Sequence, residues 1–253
     1  MKKIIFILAV ALSCMNAHAQ DSTKQNSKWD FLIEPYLMFP NMNGKVGLGT
    51  IPDVPVDANP GDIFNHLQMG AMLYLEAHNN KWAITSDFLY MKLKQDVSAT
   101  NIINSGKATA KQTMWELAGL YKINPWLEVG AGTRLSSIGS DVEVNYKTGP
   151  NRDTARSGSI TKTWVDPIIV TRFTFFTTTK WIAQLRTDIG GFGIGSKFAW
   201  QIQADAGYRF SKLFQATIGY RYIDINYEKG SDSDRFLYDM ASFGPTVRFG
   251  FNF

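Results

Sequence analysis

Hydrophobic and polar residues alternate along most of this chain, and the alternation is clearest at its end. Five apolar residues of the last thirteen share one parity: Phe243, Val247, Phe249, Phe251 and Phe253. Glycine, threonine, arginine and asparagine occupy the other parity. Successive side chains of a strand point to opposite faces, so the pattern predicts a strand with one aromatic face and one small or polar face.

The same alternation returns nine more times, and it predicts ten strands. The segments are 29–39, 68–78, 82–93, 113–121, 127–135, 164–175, 181–189, 198–210, 214–222 and the closing strand. Short connections (79–80, 123–126, 177–180, 211–212) alternate with longer ones. This asymmetry is typical of an antiparallel up-and-down β-barrel that crosses a membrane. The fold class is therefore all-β, a transmembrane barrel of ten strands.

A barrel of eight or twelve strands is also compatible with the alternation. The number depends on whether the longer connections contain further strands and whether all ten segments form strands. Residues 40–66 hold a potential hairpin, built from 46–48 and 54–56, followed by a turn in which Asp62 caps a short helix. That hairpin would raise the number to twelve, and loss of two weak segments would lower it to eight. Residues 95–110, 139–160 and 225–236 are predicted as polar external loops, and the flanks of 139–160 as possible strand extensions.

The beginning of the chain predicts export. Lys2 and Lys3 precede an apolar stretch, and Ala17-His18-Ala19 has the small-residue pattern of a cleavage site, so residues 1–19 read as a signal peptide. Residues 20–28 are polar and predicted to be flexible, and 29–253 form the barrel domain. The only cysteine, Cys14, lies in the signal, so the exported chain contains no disulfide.

Charge and hydropathy narrow the class of protein further. Loss of Lys2 and Lys3 lowers the formal charge from +4 to +2, which is too small for a nucleic-acid-binding surface. Nothing after the signal reaches about eighteen unbroken apolar residues, the length of a membrane-spanning helix. Alternating strands need no such run, because only every second residue faces lipid. The sequence therefore predicts a protein of a bacterial outer membrane.

Aromatic residues recur at one end of the predicted hairpins. Each begins a strand just after a short turn, and lysines lie immediately outside. Tryptophan prefers the headgroup level of a bilayer, and lysine reaches out to phosphate. Their recurrence predicts an interface girdle made of Trp29, Trp82, Trp126, Trp181 and Phe214.

The inward parity collects acids and arginines. Such charges must be hydrated or paired, because an isolated buried charge costs several kcal/mol. They suit either a polar pore or a salt-bridged plug, and the narrow lumen of a ten-stranded barrel favours the plug. The predicted lumen network consists of Glu34, Glu76, Asp87, Glu116, Glu128, Arg134, Asp166, Arg172, Arg186, Asp188, Asp205, Arg209, Arg221 and Arg248.

Catalysis finds little support in the sequence. The exported chain contains only His66 and His78. His78 falls at a predicted periplasmic turn, and His66 has Asp62 nearby but no serine close in sequence for nucleophilic chemistry. No histidine or cysteine spacing suits a metal, and no glycine-rich loop precedes a helix. We therefore predict no catalytic residue, no metal, no cofactor and no enzymatic activity.

Several motifs resemble those of small outer-membrane barrels broadly grouped with the OmpW and OmpA types. The narrower resemblance is to an uncharacterised, Bacteroidetes-like family, and it rests on Trp29, Pro35-Tyr36, Gly44, Asp62-Ile63-Phe64, Glu76-Ala77, Lys81-Trp82 and 87–90. Gly244, Val247 and Phe249, continued by Phe251 and Phe253, look like the signal read by the barrel assembly machinery. The resemblance implies outer-membrane lipid and that machinery as partners.

Two functional hypotheses follow from the sequence. The first is a structural barrel or narrow channel for small solutes, with a charge-paired interior. The alternative is a surface-interaction barrel, adhesin-like or binding, that acts through its external loops. An outer-membrane enzyme that uses His66 is a distant third.

Overall fold

The structure is a computed structural model that describes residues 28–97, 103–149, 152–175 and 179–253. The predicted signal peptide and nearly all of the predicted flexible segment lie outside the described residues, as do the first two residues of the turn at 177–180. Besides a 3-10 helix at Asp232–Asp234, the regular structure of the described chain consists of twelve strands and one α-helix. In chain order they are β1 (Asp30–Met38), β2 (Asn41–Leu48), β3 (Val54–Ala58), α1 (Pro60–His66), β4 (Leu67–His78), β5 (Trp82–Val97), β6 (Ile103–Asn124), β7 (Leu127–Gly149), β8 (Arg152–Phe175), β9 (Trp181–Gly190), β10 (Phe198–Arg209), β11 (Phe214–Lys229) and β12 (Phe236–Asn252).

Ten of the strands close into an antiparallel barrel. From β4 to β12 each strand pairs with the next along the chain, and β1 pairs with both β4 and β12. Closure is completed at the last residue, because the amides of Phe31 and Phe253 each donate to the other's carbonyl, at 3.0 and 2.8 Å. The prediction of a ten-stranded transmembrane barrel is confirmed.

The other two strands form the hairpin predicted within residues 40–66. β2 continues the path of β1 after Pro40 and pairs with the upper half of β12, from Phe236 to Phe243. β3 pairs with β2 and, among the described residues, with no other strand. Asn59 caps the helix that follows, with Asp62 completing a capping box, so Asp62 lies inside the helix rather than at its cap as predicted.

The strand extensions predicted at the flanks of 139–160 are confirmed, but among the described residues the predicted loops at 95–110 and 139–160 are mostly strand, and that at 225–236 shrinks to 230–235. β5 runs on to Val97, β6 begins at Ile103, β7 and β8 reach Gly149 and Arg152, and β11 extends to Lys229. The upper parts of β5 to β8 stand beyond the membrane-spanning wall as a ribbon with polar residues on its faces. A solvated strand carries the same polar residues as a loop, which is why composition alone misassigned these segments.

Side chains shape the short turns at the other end. The Asn79 carboxamide oxygen accepts from the amides of Lys81 and Trp82, both at 2.8 Å, and the Ser211 hydroxyl accepts from the Phe214 amide at 2.9 Å. Both turns were predicted. Such local bonds satisfy backbone donors where strand pairing stops.

An ion-pair cluster fastens the tip of the β2–β3 hairpin to the external end of the barrel. The guanidinium of Arg235 bonds both carboxylate oxygens of Asp53, at 2.6 and 3.3 Å, and its Nε donates to Glu228 at 2.7 Å. Lys197 bonds the other oxygen of Glu228 at 2.5 Å. Hydrogen bonds from Arg235 hold the pKa of Asp53 below its usual value, and those from Lys197 and Arg235 do the same for Glu228.

We expect Arg235→Gln to free the hairpin tip, seen as faster amide hydrogen exchange over residues 49–53. The pKa values of Asp53 and Glu228 are both lowered in the fold. The ion-pair cluster therefore stabilises the hairpin tip at pH values above the ordinary carboxyl pKa of about 4, and this stabilisation is lost only as the pH falls below that value. Lys45→Gln is the control, because Lys45 is half exposed and lies 3.9 Å from Asp239. Equal rates of amide exchange over residues 49–53 in the Arg235 and Lys45 variants would show that the ion-pair cluster does not hold the hairpin tip.

Candidate functional site

Twelve of the fourteen predicted lumen charges meet inside the barrel at mid-height. All twelve have side chains that are at most about a tenth exposed. We call them the charged layer: Glu34, Glu76, Asp87, Glu116, Glu128, Arg134, Arg172, Arg186, Asp188, Asp205, Arg221 and Arg248. Their strands alternate inward and outward residues, which is why one parity of the sequence supplies the layer.

Arg134 lies at the centre of the charged layer and is fully buried. Its Nη2 donates to Glu116 at 2.9 Å and also bonds Asp188. Arg186 bonds the second oxygen of Glu116 and lies 3.5 Å from Asp188. Two guanidinium groups therefore meet two carboxylates, a pairing that offsets part of the large desolvation cost of buried charge.

Two further arginines are held by tyrosines as well as by acids. Arg172 bonds Glu76 and Glu128, and the Tyr74 hydroxyl donates to Glu76 at 2.5 Å. On the other side of the lumen Arg221 bonds Asp87 at 3.1 Å. The Tyr36 hydroxyl donates to the same Asp87 at 2.7 Å. These tyrosines were not predicted as members, although both lie on the inward parity.

Arg248 is held more loosely than the other arginines. Its nearest carboxylate oxygens are 3.5 Å away on Glu34 and 3.8 Å away on Asp205. The guanidinium instead lies over the rings of Tyr36 and Tyr74, at 4.5 and 5.4 Å from their centroids. Cation–π contact thus supplies part of its stabilisation.

Two predicted members lie outside the charged layer. Asp166 is opposite Arg134 in strand register, yet its carboxylate accepts from the amide and hydroxyl of Ser196, at 2.5 and 2.8 Å, and from the Trp164 indole at 3.2 Å. It therefore fixes the external turn before β10. Arg209 is exposed at the periplasmic mouth, where its Nε contacts Gln215.

An apolar cluster fills the lumen on the external side of the charged layer, and sequence reasoning missed it. Trp164 stacks on Tyr227 with ring centroids 3.9 Å apart. The signal was present, because inward positions carry methionine and aromatic residues there. The buried members are Leu89, Met114, Trp164, Ala199, Ile223, Ile225, Tyr227, Phe236, Tyr238 and Met240.

A polar cavity of about 470 Å³ lies on the periplasmic side of the charged layer. We call it the vestibule. Its inner surface includes Glu34, Glu76, Glu128, Asp205 and Arg248, and its mouth includes Lys122, Arg209 and Asn252. Along the lumen the interior therefore changes from a polar vestibule to a charged layer and then to an apolar cluster.

The barrel wall is split between β1 and β4. These strands pair only from Asp30 to Pro35 on β1. Above that point Tyr36–Met38 pair only with β12, and Leu67–Met72 pair only with β5. An apolar cavity of about 100 Å³ occupies the split, between the lipid-facing side chains of Leu37, Phe64 and Ala71 and the inward-facing Met38, Met72 and Met91. We call it the wall cavity.

The predicted girdle residues lie at the periplasmic end of the wall. Four are exposed, namely Trp29, Trp82, Trp126 and Trp181, while Phe214 is partly buried. Neighbouring strands supply ring partners, such as Tyr121 for Trp82 at 4.9 Å and Tyr208 for Trp181 at 5.2 Å between centroids. In β12 the proposed assembly-signal residues Val247, Phe249 and Phe251 alternate with the inward-facing Arg248, whereas Gly244 is buried.

The two histidines lie apart from one another, and His78 alone contacts the charged layer. The Nδ1 of His66 contacts the Asp62 carbonyl at 2.6 Å inside α1. The Nδ1 of His78 is 3.3 Å from Glu76 at the periplasmic end. The described residues contain no group of three or more histidine, cysteine or acidic side chains arranged to hold a metal, and no helix long and apolar enough to cross a membrane.

Comparison with known proteins adds distant structural neighbours. No family model matches the chain, and no curated protein matches it. The attachment invasion locus protein Ail of Yersinia pestis is 10% identical, covering 90% of this chain and 100% of its own, with a TM-score of 0.35. The Pseudomonas putida toluene transporter TodX is 8% identical, with 90% of both chains covered and a TM-score of 0.37.

Strand pairing itself decides the class. The wall is closed, apolar outside, charged inside and bordered by aromatic residues at its periplasmic end. The chain is an outer-membrane β-barrel.

We expect Arg134→Met to lower the free energy of unfolding by about 3–5 kcal/mol, because Glu116 and Asp188 would remain buried with only Arg186 to pair with both of them. Urea titration of the barrel in detergent or vesicles measures this loss. Lys111→Met is the matched control, since Lys111 pairs with Asp141 at 2.6 Å on the exposed ribbon and should matter little. Similar losses in both variants would mean that the charged layer is not the stabilising unit.

Proposed function

We propose that this protein is a narrow outer-membrane passage for small solutes, and that these solutes are small apolar molecules. The observation that carries the proposal is the wall cavity at the split between β1 and β4. It joins lipid-facing residues to the methionines of the lumen, so a molecule dissolved in the outer half of the bilayer meets an apolar opening in the wall.

The chemistry of the wall cavity suits apolar molecules. Leu37 and Phe64 are 54% and 38% exposed at its outer side, while Ile63 of α1 is buried at its upper side. Apolar cavities near 150 Å³ hold benzene-sized molecules, so a cavity of about 100 Å³ needs a modest expansion. Methionine side chains supply it, because they are unbranched and adapt to the shape of a ligand.

The interior of the barrel argues against a passage for ions. A hydrated ion would have to cross the charged layer, whose guanidinium groups bond carboxylates across the lumen, and then the apolar cluster around Trp164. Leaving water for such an apolar region costs an ion several kcal/mol. The charge-paired interior therefore acts as a plug in the resting state, and the proposed role is non-enzymatic.

A second role is favoured by one feature, the ribbon formed by the upper parts of β5 to β8. β8 pairs with β9 only from Ile168 to Phe175, so its upper part from Arg152 to Asp166 has one unpaired edge among the described residues. Such an edge offers backbone donors and acceptors to another strand. This edge supports the adhesin-like alternative, with strands of the ribbon as the binding surface.

We expect Gly70→Leu to close the passage. A Cβ added at Gly70 meets nothing closer than 3.7 Å, so the longer side chain extends into the wall cavity without disturbing the backbone. Uptake of an apolar fluorophore such as N-phenyl-1-naphthylamine by cells that express the barrel should fall severalfold, toward the rate of cells without it.

Gly119→Leu is the matched control for this substitution. A Cβ at Gly119 meets nothing within 4 Å, and the residue faces outward on β6, so uptake should not change. Planar-bilayer recordings should show no steady ion conductance for wild type or either variant. Unaltered uptake in a correctly assembled Gly70 variant, or a large steady conductance, would overturn the proposal.

The adhesin-like alternative is tested by shortening the ribbon. Asp141 and Ser159 are directly paired, so replacing residues 142–158 with Asn-Gly joins them through a two-residue hairpin turn. If the passage is the main function, apolar uptake should persist while cell binding stays as it was. Loss of cell binding with intact uptake would show that the ribbon has a binding role.

A further inference from the structure

The charged layer contains more acids than arginines. Seven carboxylates, of Glu34, Glu76, Asp87, Glu116, Glu128, Asp188 and Asp205, face five guanidinium groups, of Arg134, Arg172, Arg186, Arg221 and Arg248. The imbalance is greatest beside the vestibule, where Glu34 and Asp205 share Arg248 at 3.5 and 3.8 Å. At this part of the vestibule wall two carboxylates therefore depend on a single guanidinium.

One carboxylate oxygen at this place has no hydrogen-bond donor. Oδ2 of Asp205 accepts from the Gln203 carboxamide at 2.6 Å, but Oδ1 is buried with no hydrogen bond, and its one ion-pair partner, the guanidinium of Arg248, is 3.8 Å away. The side chain of Asp205 is only 8% exposed, and it lines the vestibule. The Thr217 hydroxyl is also buried without a partner and lines the same cavity. Buried polar atoms are nearly always bonded, so these atoms point to a bound molecule with donors.

A positive charge lies next to this acidic corner. Gln215 donates to Glu34 at 2.9 Å and accepts from Nε of Arg209 at 3.4 Å, so one carboxamide separates a carboxylate from a guanidinium. Within the described chain no carboxylate lies within 4 Å of Arg209, and its terminal nitrogens are left to bind something else. An acid and a base are thus held side by side on the surface of one cavity.

We infer that the vestibule binds a small zwitterion, a short peptide. The protonated amine would donate to Asp205 Oδ1, with Glu34 adding negative charge, and the carboxylate would accept from Arg209 as a charge-assisted pair. A cavity of about 470 Å³ is large enough for a few residues of peptide. This site is on the opposite side of the charged layer from the wall cavity, and it does not depend on the proposed passage.

Single-charge ligands fit the same groups less well. An anion would satisfy Arg209 and leave Asp205 Oδ1 without a donor, whereas a cation would leave Arg209 unpaired and approach past Lys122 at the mouth. Only a molecule that carries both charges satisfies both sides. The two single-charge possibilities become the comparisons in the experiment.

The probe is the dipeptide Ala-Ala, titrated calorimetrically into the detergent-solubilised full-length protein. Its N-acetylated form lacks the positive charge, and its C-terminal amide lacks the negative charge. We expect the zwitterion to bind and each capped form to bind at least about tenfold more weakly, since each loses one charge-assisted pair. No binding of Ala-Ala, or a capped form that binds as well, overturns the inference.

Two variants assign the charges to residues. Asp205→Asn should remove the preference for Ala-Ala over its N-acetylated form, and Arg209→Gln should remove the preference over the amide. Lys212→Gln is the control, because this lysine belongs to the same end of the barrel but does not line the vestibule. Heat-dependent gel migration verifies that each variant is folded. If all three variants keep the wild-type order of affinities, the site is not the one inferred.

Discussion

A backbone amide or carbonyl left unpaired in a hydrocarbon layer costs several kcal/mol, and the whole architecture follows from avoiding that cost. A sheet avoids it only by closing on itself. Here β12 makes the closure, with its lower half paired to β1 and its upper half to β2. The mutual hydrogen bonds of Phe31 and Phe253 extend the pairing of β1 and β12 to the last residue.

The same closure explains why the wall has a weak place. β1 is too short to follow β12 to its external end, and after Pro40 the chain continues as β2 and returns through β3 and α1. β4 then starts at Leu67 and reaches β1 only at Leu73. The unpaired backbone in between is covered by α1, whose Phe64 packs on Phe39 at 5.3 Å between ring centroids. A break that is covered by side chains alone is the part of a barrel wall that opens most easily.

The sequence determines which face a residue occupies better than how high it lies or what it touches. Period-two alternation is imposed by the strand itself, so the inward position of Arg134 and the outward position of Trp82 were predictable. The partners of inward charges depend on strand stagger around the closed barrel, which alternation does not encode. Asp166 is the example, since it is opposite Arg134 in register and still bonds Ser196.

The wall cavity and the apolar cluster were beyond sequence reasoning for a related reason. A methionine at an inward position is compatible with a polar lumen until the neighbouring strands bring Met38, Met72 and Met91 together. The strands of the ribbon were predicted as loops for a different reason, because strands that leave the membrane lose the apolar half of their alternating pattern. Both cases show that alternation is diagnostic only where one face touches lipid and the other touches water.

Ion pairs are shorter at the centre of the charged layer than beside the vestibule. Arg134 has no exposed surface, and Glu116 and Asp188 both accept direct bonds from it. Glu34, Asp205 and Arg248 border the vestibule, and their ion pairs are longer, at 3.5 and 3.8 Å. A charge that exchanges water for a ligand loses little, whereas a charge that must leave a direct partner loses several kcal/mol. The loosely paired edge of the layer is therefore the part suited to binding, and the tightly paired centre is the part suited to holding the barrel shut.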